Sequence, residues 1–95
     1  MIRIVADNFI QTEKREEFLG YAQELVTETR KEEGNISYHL HKDRTDENHF
    51  TFIEEWKDED AIKSHNASVH FTNLVPKMRE CSKKQGTCYL YDEIL

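Results

Sequence analysis

Residues 1–11 alternate. Ile2, Ile4, Ala6, Asn8 and Ile10 share one face of an extended chain, with Val5, Phe9 and Gln11 on the other, which predicts a strand. The pattern then changes period. Phe18, Tyr21, Ala22, Leu25, Val26 and Thr29 recur at three- and four-residue steps and predict a helix over 13–33. Thr12 is placed to cap it, Glu13, Glu16 and Glu17 suit its N-terminal partial charge, and Gly34 supplies its stop. Alternation returns over 35–42, with Ile36, Tyr38 and Leu40 opposite Ser37, His39 and His41. The polar run 43–48 reads as a hairpin loop, and Phe50, Phe52 and Trp56 mark the returning strand. Asp58 opens a helix carrying Ala61, Ile62 and His65. Ser68 opens another with Phe71, Leu74, Val75 and Met78, which Pro76 should interrupt or kink. Thr87 to Ile94 alternates as a last strand, so the order is βαββααβ.

Short elements in that order predict an α+β domain over 1–95, an antiparallel sheet with helices on one face. Such a sheet should be apolar on its covered face only. This one offers apolar side chains on both: Val5 and Phe9 behind Ile2 and Ile4, Ile53 behind Phe52, Tyr89 and Tyr91 behind Leu90 and Ile94. Agreement among three strands predicts a homodimer through the open sheet face.

Composition narrows the partners. Thirteen Lys and Arg against nineteen Asp and Glu leave a formal charge of −6, which argues against nucleic acid and anionic lipid. No apolar run approaches the ~18 residues needed to span a membrane, and residues 1–12 lack a signal peptide's apolar core. Cys81 and Cys88 form neither a disulfide framework nor a redox or zinc pair. The expectation is a reduced, cytoplasmic domain. Glycine-rich phosphate loops, a nucleophile elbow and flavin or nicotinamide fingerprints are absent from the sequence.

Several segments coincide with one family. Ile4 to Asn8 leads into Lys14-Arg15-Glu16-Glu17-Phe18, and Glu32 to Tyr38 leads into the second strand. Phe52 to Ala61 and His65 to Phe71 follow, the stretch from Glu55 to Phe71 being the most specific. Together they resemble the antibiotic biosynthesis monooxygenase family across essentially the whole chain. The resemblance implies a ferredoxin-like dimeric α+β barrel. It does not imply one reaction: members oxidise polyketide aromatics or quinols with O2 and no cofactor, degrade haem, or process a phosphorylated quorum-sensing sugar derivative.

Asn8 breaks an apolar face, and a buried amide needs partners; the resemblance implies that it contacts substrate or donates to an oxygen adduct. Trp56 offers a flat wall and one N–H, and by resemblance lines the pocket as well as the core. His65 lies on the inward helical stripe and is the candidate base. Tyr38, Phe52, His70 and Phe71 are expected to contact substrate, as is Glu54, a buried acid whose pKa rises unless Arg3 or Lys57 pairs with it. His65 and His70 are five apart, about 140° on one continuous helix, which is poor spacing for a shared metal. His39 and His41 share a strand face with no carboxylate forced beside them, so no metal site is expected. Val75 stands where the haem-degrading members carry an axial His, and Phe52 where the polyketide oxidases add an Asn.

The reading is a cofactor-independent monooxygenase acting with O2 on a small electron-rich aromatic, a quinol or dihydroxyarene. The alternatives are an isomerase for a phosphorylated quorum-sensing hydroxyketone and a non-catalytic small-molecule-binding dimer.

Overall fold

The alternating first segment forms β1 (Ile2–Ile10), the central strand of a five-stranded sheet in the computed structural model, which describes residues 1–95. One edge of β1 pairs with β3 (His49–Trp56), and β3 with β2 (Asn35–Lys42). The other edge pairs with two short strands, β4 (Ser82–Lys84) and β5 (Cys88–Asp92). Every pairing is antiparallel. The helices are α1 (Arg15–Thr29), α2 (Glu59–Asn66) and α3 (Val69–Glu80), and the architecture is α+β and ferredoxin-like, βαββααβ with one added strand.

Opposed residues of an antiparallel pair point to the same side, so the register defines two faces. Ile4 lies opposite Glu54 and Leu90, and Ala6 opposite Phe52 and Cys88, on the helix-covered side. Val5 lies opposite Ile53 and Tyr89, and Arg3 opposite Glu55 and Tyr91, on the outer side. The core sits between the covered face and the helices, where Phe18, Leu25, Trp56 and Leu74 are almost wholly buried. On the outer side Tyr89 and Tyr91 remain more than half exposed. Phe9 is sheltered within its own chain, stacked 4.4 Å from the His49 ring and beneath the Lys84 ammonium.

Several local expectations are corrected. Thr12 does not cap α1; it starts a 3-10 turn (Thr12–Lys14), and its Oγ1 accepts from Asn48 Nδ2 at 2.9 Å. The helix ends at Thr29, four residues early, because nothing apolar follows to bury another turn. Gly34 has no positive φ, and its role is close approach, since a Cβ there would collide with Ala61 of α2. Ile36 is 55% exposed because a bulge between Asn35 and Ser37 carries it out of the alternation. Pro76 lies inside an unbroken α3, whose turns on either side are anchored by buried Leu74 and Met78. The predicted last strand begins one residue later and ends at Asp92.

The turn between β4 and β5 crosses close over β1. Asp7 N donates to Thr87 O at 2.8 Å and Thr87 Oγ1 donates to Asp7 Oδ2 at 2.9 Å. Gly86 permits the crossing, because any Cβ would occupy the position of the Asp7 carbonyl.

Candidate functional site

Between the covered face of the sheet and α2–α3 lies a cavity of about 820 Å³. Its apolar wall includes Ile4, Tyr38, Phe52, Ile62, Phe71 and Val75. Asn8, Glu54 and His65 add polar groups, and Arg79 and the turn over β1 stand at its border. An apolar cleft with a few polar side chains is the usual form of a small-molecule site.

Asn8 reaches the cavity because β1 alternates through to Ile10. Its Nδ2 donates to Ala6 O at 3.2 Å and, more weakly, to Phe50 O at 3.5 Å. Both amide hydrogens are thereby directed at backbone carbonyls, and the Oδ1 is left as an acceptor. That differs from the donor role implied by resemblance.

Glu54 is 6% exposed and makes no ion pair. Arg3 instead binds Glu55, one residue on and on the outer face, at 2.8 Å. Burial, reinforced by the charge of Glu32, pushes the Glu54 carboxyl up to about 7 against the lowering effect of the Trp56 indole, whose Nε1 donates to Glu54 Oε1 at 2.9 Å. Trp56 itself is fully buried and lies beneath the cavity, not on its wall. Strand alternation puts Trp56 on the same face as Glu54, but α2 and the start of β2 close over it. Its ring supports His65 at 4.6 Å and meets Tyr38 edge-on at 6.3 Å. Burial raises the Tyr38 phenol far above its ordinary range, helped by Glu54 and Glu32, so it stays neutral.

His65 is 2% exposed and lies on the cavity wall. Burial lowers its pKa despite an opposing bond from Nδ1 to Glu32 Oε2 at 2.7 Å. Its Nε2 has no hydrogen-bond partner in the chain. His70 does not line the cavity; its Nε2 binds the same Glu32 oxygen at 2.7 Å. The spacing argument against these two histidines meeting fails because the helix is not continuous. The chain turns at Ala67–Ser68, Ser68 caps α3 through Phe71 N, and the two rings come to 6.0 Å. Glu32, His65 and His70 thus gather ligand-type atoms within 4.8 Å of one another. His39 instead lies against Arg30, with Nδ1 3.1 Å from Nη2.

The residues 1–77 match the family model for antibiotic biosynthesis monooxygenase. The chain belongs to the antibiotic biosynthesis monooxygenase family.

A Bacillus subtilis strain 168 protein that carries the name "Putative monooxygenase YcnE" is 48% identical over 80 residues, 84% of each chain. A crystal structure of an antibiotic biosynthesis monooxygenase superimposes with a TM-score of 0.96 at 39% identity, covering 100% of both chains. A conserved protein from Methanosarcina mazei Go1 gives 0.95 at 36% identity, covering 98% of this chain and 92% of that one. The family membership supports a monooxygenase-type function, and the site residues specify what such a function would use.

Two features of this family member escaped sequence reasoning. Glu32 enters the sequence reading only as the start of the segment leading into the second strand, and only the tertiary fold brings it under two histidines. Arg79 and Lys83 lie on polar stretches near the chain's end, yet both border the cavity and neither makes an ion pair within the chain. No periodic signal marks either feature. No helix is long and apolar enough to cross a membrane.

Proposed function

We propose that this protein is a cofactor-independent monooxygenase that oxidises a small electron-rich aromatic, a quinol or dihydroxyarene, with O2. The observation that carries the reading is the unpartnered Nε2 of a buried His65 on the wall of an apolar cavity that also holds Asn8 and Glu54. A hydroxyarene bound between Phe52 and Phe71 gives its hydroxyl proton to His65 Nε2, and the resulting anion supplies electrons to O2. Asn8 Oδ1 accepts from a second hydroxyl and orients the ring. One oxygen atom bonds to a ring carbon and the other leaves as water, so dihydroxyarene and O2 become hydroxyquinone and water. Glu54, its carboxyl pushed up to about 7 on the same cavity, supplies the proton for the departing oxygen. The cavity removes water from around the anion and the developing peroxide.

Exposed Tyr89 and Tyr91, beside Val5 and Ile53, suit a homodimer through the outer sheet face. Two free cysteines suit the reducing cytoplasm.

The test is an aerobic and anaerobic screen of quinols and dihydroxyarenes with metal-free protein, following O2 uptake and quinone absorbance. Turnover in air alone is expected, and Asn8→Ala should lower kcat/KM about tenfold for the loss of one ~1.4 kcal/mol hydrogen bond. Binding of hydroquinones with no turnover would identify a binding protein instead. An unchanged rate in Asn8→Ala would remove Asn8 from the site.

A second reading has one observation in its favour. An isomerase acting on a phosphorylated hydroxyketone needs a phosphate site, and Arg79 and Lys83 border the cavity without carboxylate partners. Under this reading Arg79→Ala weakens binding of a small hydroxyketone phosphate at least tenfold, as lost charge-assisted bonds of ~1.5–3 kcal/mol would require. If calorimetry shows wild type and Arg79→Ala binding it alike, or neither binding it, the reading fails.

A further inference from the structure

Glu32 and His70 lie outside the cavity wall, yet Glu32 is bonded to the one buried imidazole on it and His70 to the same Glu32 oxygen. We propose that Glu32 is the positioning residue for His65, held in place by His70, and that this His–Glu–His clamp makes Nε2 of His65 the proton acceptor facing the cavity. The inference rests on the reading of His65 as the base and deepens it.

The geometry is specific about hydrogens. At 2.7 Å an imidazole nitrogen and a carboxylate oxygen share an N–H···O bond, and a carboxylate only accepts. His65 therefore carries its hydrogen on Nδ1 when neutral, and its lone pair is on Nε2. The same reasoning puts the His70 hydrogen on Nε2, donated to the same Oε2. Two donors on one oxygen fix that carboxylate's position more firmly than one. Exposure rises outward through the cluster, from 2% at the His65 side chain to 17% at Glu32 and 19% at His70. The charge of Glu32 lies nearest the imidazole when His65 takes a proton, and the imidazolium so formed is stabilised where water is scarce. The rings around His65 hold its plane: Trp56 at 4.6 Å, Tyr38 at 5.5 Å and Phe71 at 5.0 Å.

Other titratable groups bear on the cluster. Tyr38 of β2 packs against His65, Glu54 of β3 feels the charge of Glu32, and Glu28 of α1 feels that of His70. Glu28 is itself paired with Lys31 at 2.9 Å.

The first experiment is nitrogen NMR of the histidine rings in the free, metal-free protein at pH 7.5. The expected spectrum shows His65 protonated at Nδ1 and bare at Nε2, with His70 protonated at Nε2. A hydrogen on Nε2 of neutral His65 overturns the clamp, whatever the protein catalyses. So does stoichiometric zinc binding in which Glu32, His65 and His70 all ligate, because metal on Nδ1 would leave the hydrogen on Nε2.

The second experiment is kinetic. Glu32→Gln is expected to lower kcat about 100-fold, the scale of an impaired general base, with KM little changed. The rising limb of its pH profile should move to lower pH, because the negative partner that raises the His65 pKa is gone. His70→Gln, which sets an amide donor near the place of Nε2, should retain more of kcat than His70→Ala. Equal losses in the two His70 variants, or an unmoved limb in Glu32→Gln, overturn the assignment. If the tautomers are as stated but no quinol or dihydroxyarene is oxidised, the proposed reaction fails and the clamp stands.

Discussion

Glu54→Gln is expected to stabilise the fold at pH 8 by up to about 3 kcal/mol and to leave it nearly unchanged at pH 4. The folded-state carboxyl titrates at about 7, above the ordinary 4.5, because burial penalises its charge. A carboxyl with a raised folded pKa contributes stability that is fully present below the unfolded value and lost as pH rises through the folded one. The window is therefore pH 4.5 to 7, and each pKa unit of difference corresponds to about 1.4 kcal/mol. Glutamine keeps an oxygen for the Trp56 indole and cannot ionise, so it removes the penalty without removing the bond. Urea denaturation of both proteins at pH 4, 6 and 8 measures the difference. A difference that does not grow between pH 4 and 8 would mean Glu54 ionises freely. The same substitution should abolish a falling limb of activity near pH 7 if Glu54 acts as the acid.

Trp56→Ala should be the more damaging change, with a loss of about 3–5 kcal/mol from removing a large buried aromatic. Domains of this size have a total stability of about 5–15 kcal/mol, so the variant is expected to lose at least ~12 °C in Tm or fail to fold. Trp56→Phe keeps most of the volume and isolates the hydrogen bond. Glu54 then loses the one partner that lowers its pKa, and the value should rise further above 7. Any falling limb of the activity profile should move to higher pH in step with it. Calorimetric melts and a pH–rate profile check the pair. A Trp56→Phe protein with a Glu54 titration identical to wild type would show that the indole N–H does not bear on the site.

Both predictions depend on a residue pair that was visible in outline before the fold was known. Alternation along the third strand puts Phe52, Glu54 and Trp56 on one face, and the prediction that Glu54 is a buried acid required only that Arg3 and Lys57 not reach it. Arg3 pairs with Glu55, which the same alternation sends to the outer side. The apolar stripes of α1, α2 and α3, the hairpin and the central strand were legible for the same reason: burial on one face imposes a period that a single sequence displays. Element ends were less legible. The bulge that expels Ile36, the continuity of α3 through Pro76 and the early end of α1 depend on which neighbours pack against each turn.

The chain's order of periods thus determined the α+β class, the covered face with Asn8 among its apolar residues, and an outer face too apolar for its position. Tertiary structure alone decided three things. It placed Trp56 under the cavity as a support, because α2 closes over the end of β3. It turned Asn8 from a donor into an acceptor, because two carbonyls of the sheet take up its amide hydrogens. It joined Glu32, His65 and His70, separated by 33 and 5 positions, through a turn between two helices that breaks the angular arithmetic of one. Hydrogen bonds between side chains have no period along a sequence, and so their partners are known only when the backbone has been folded.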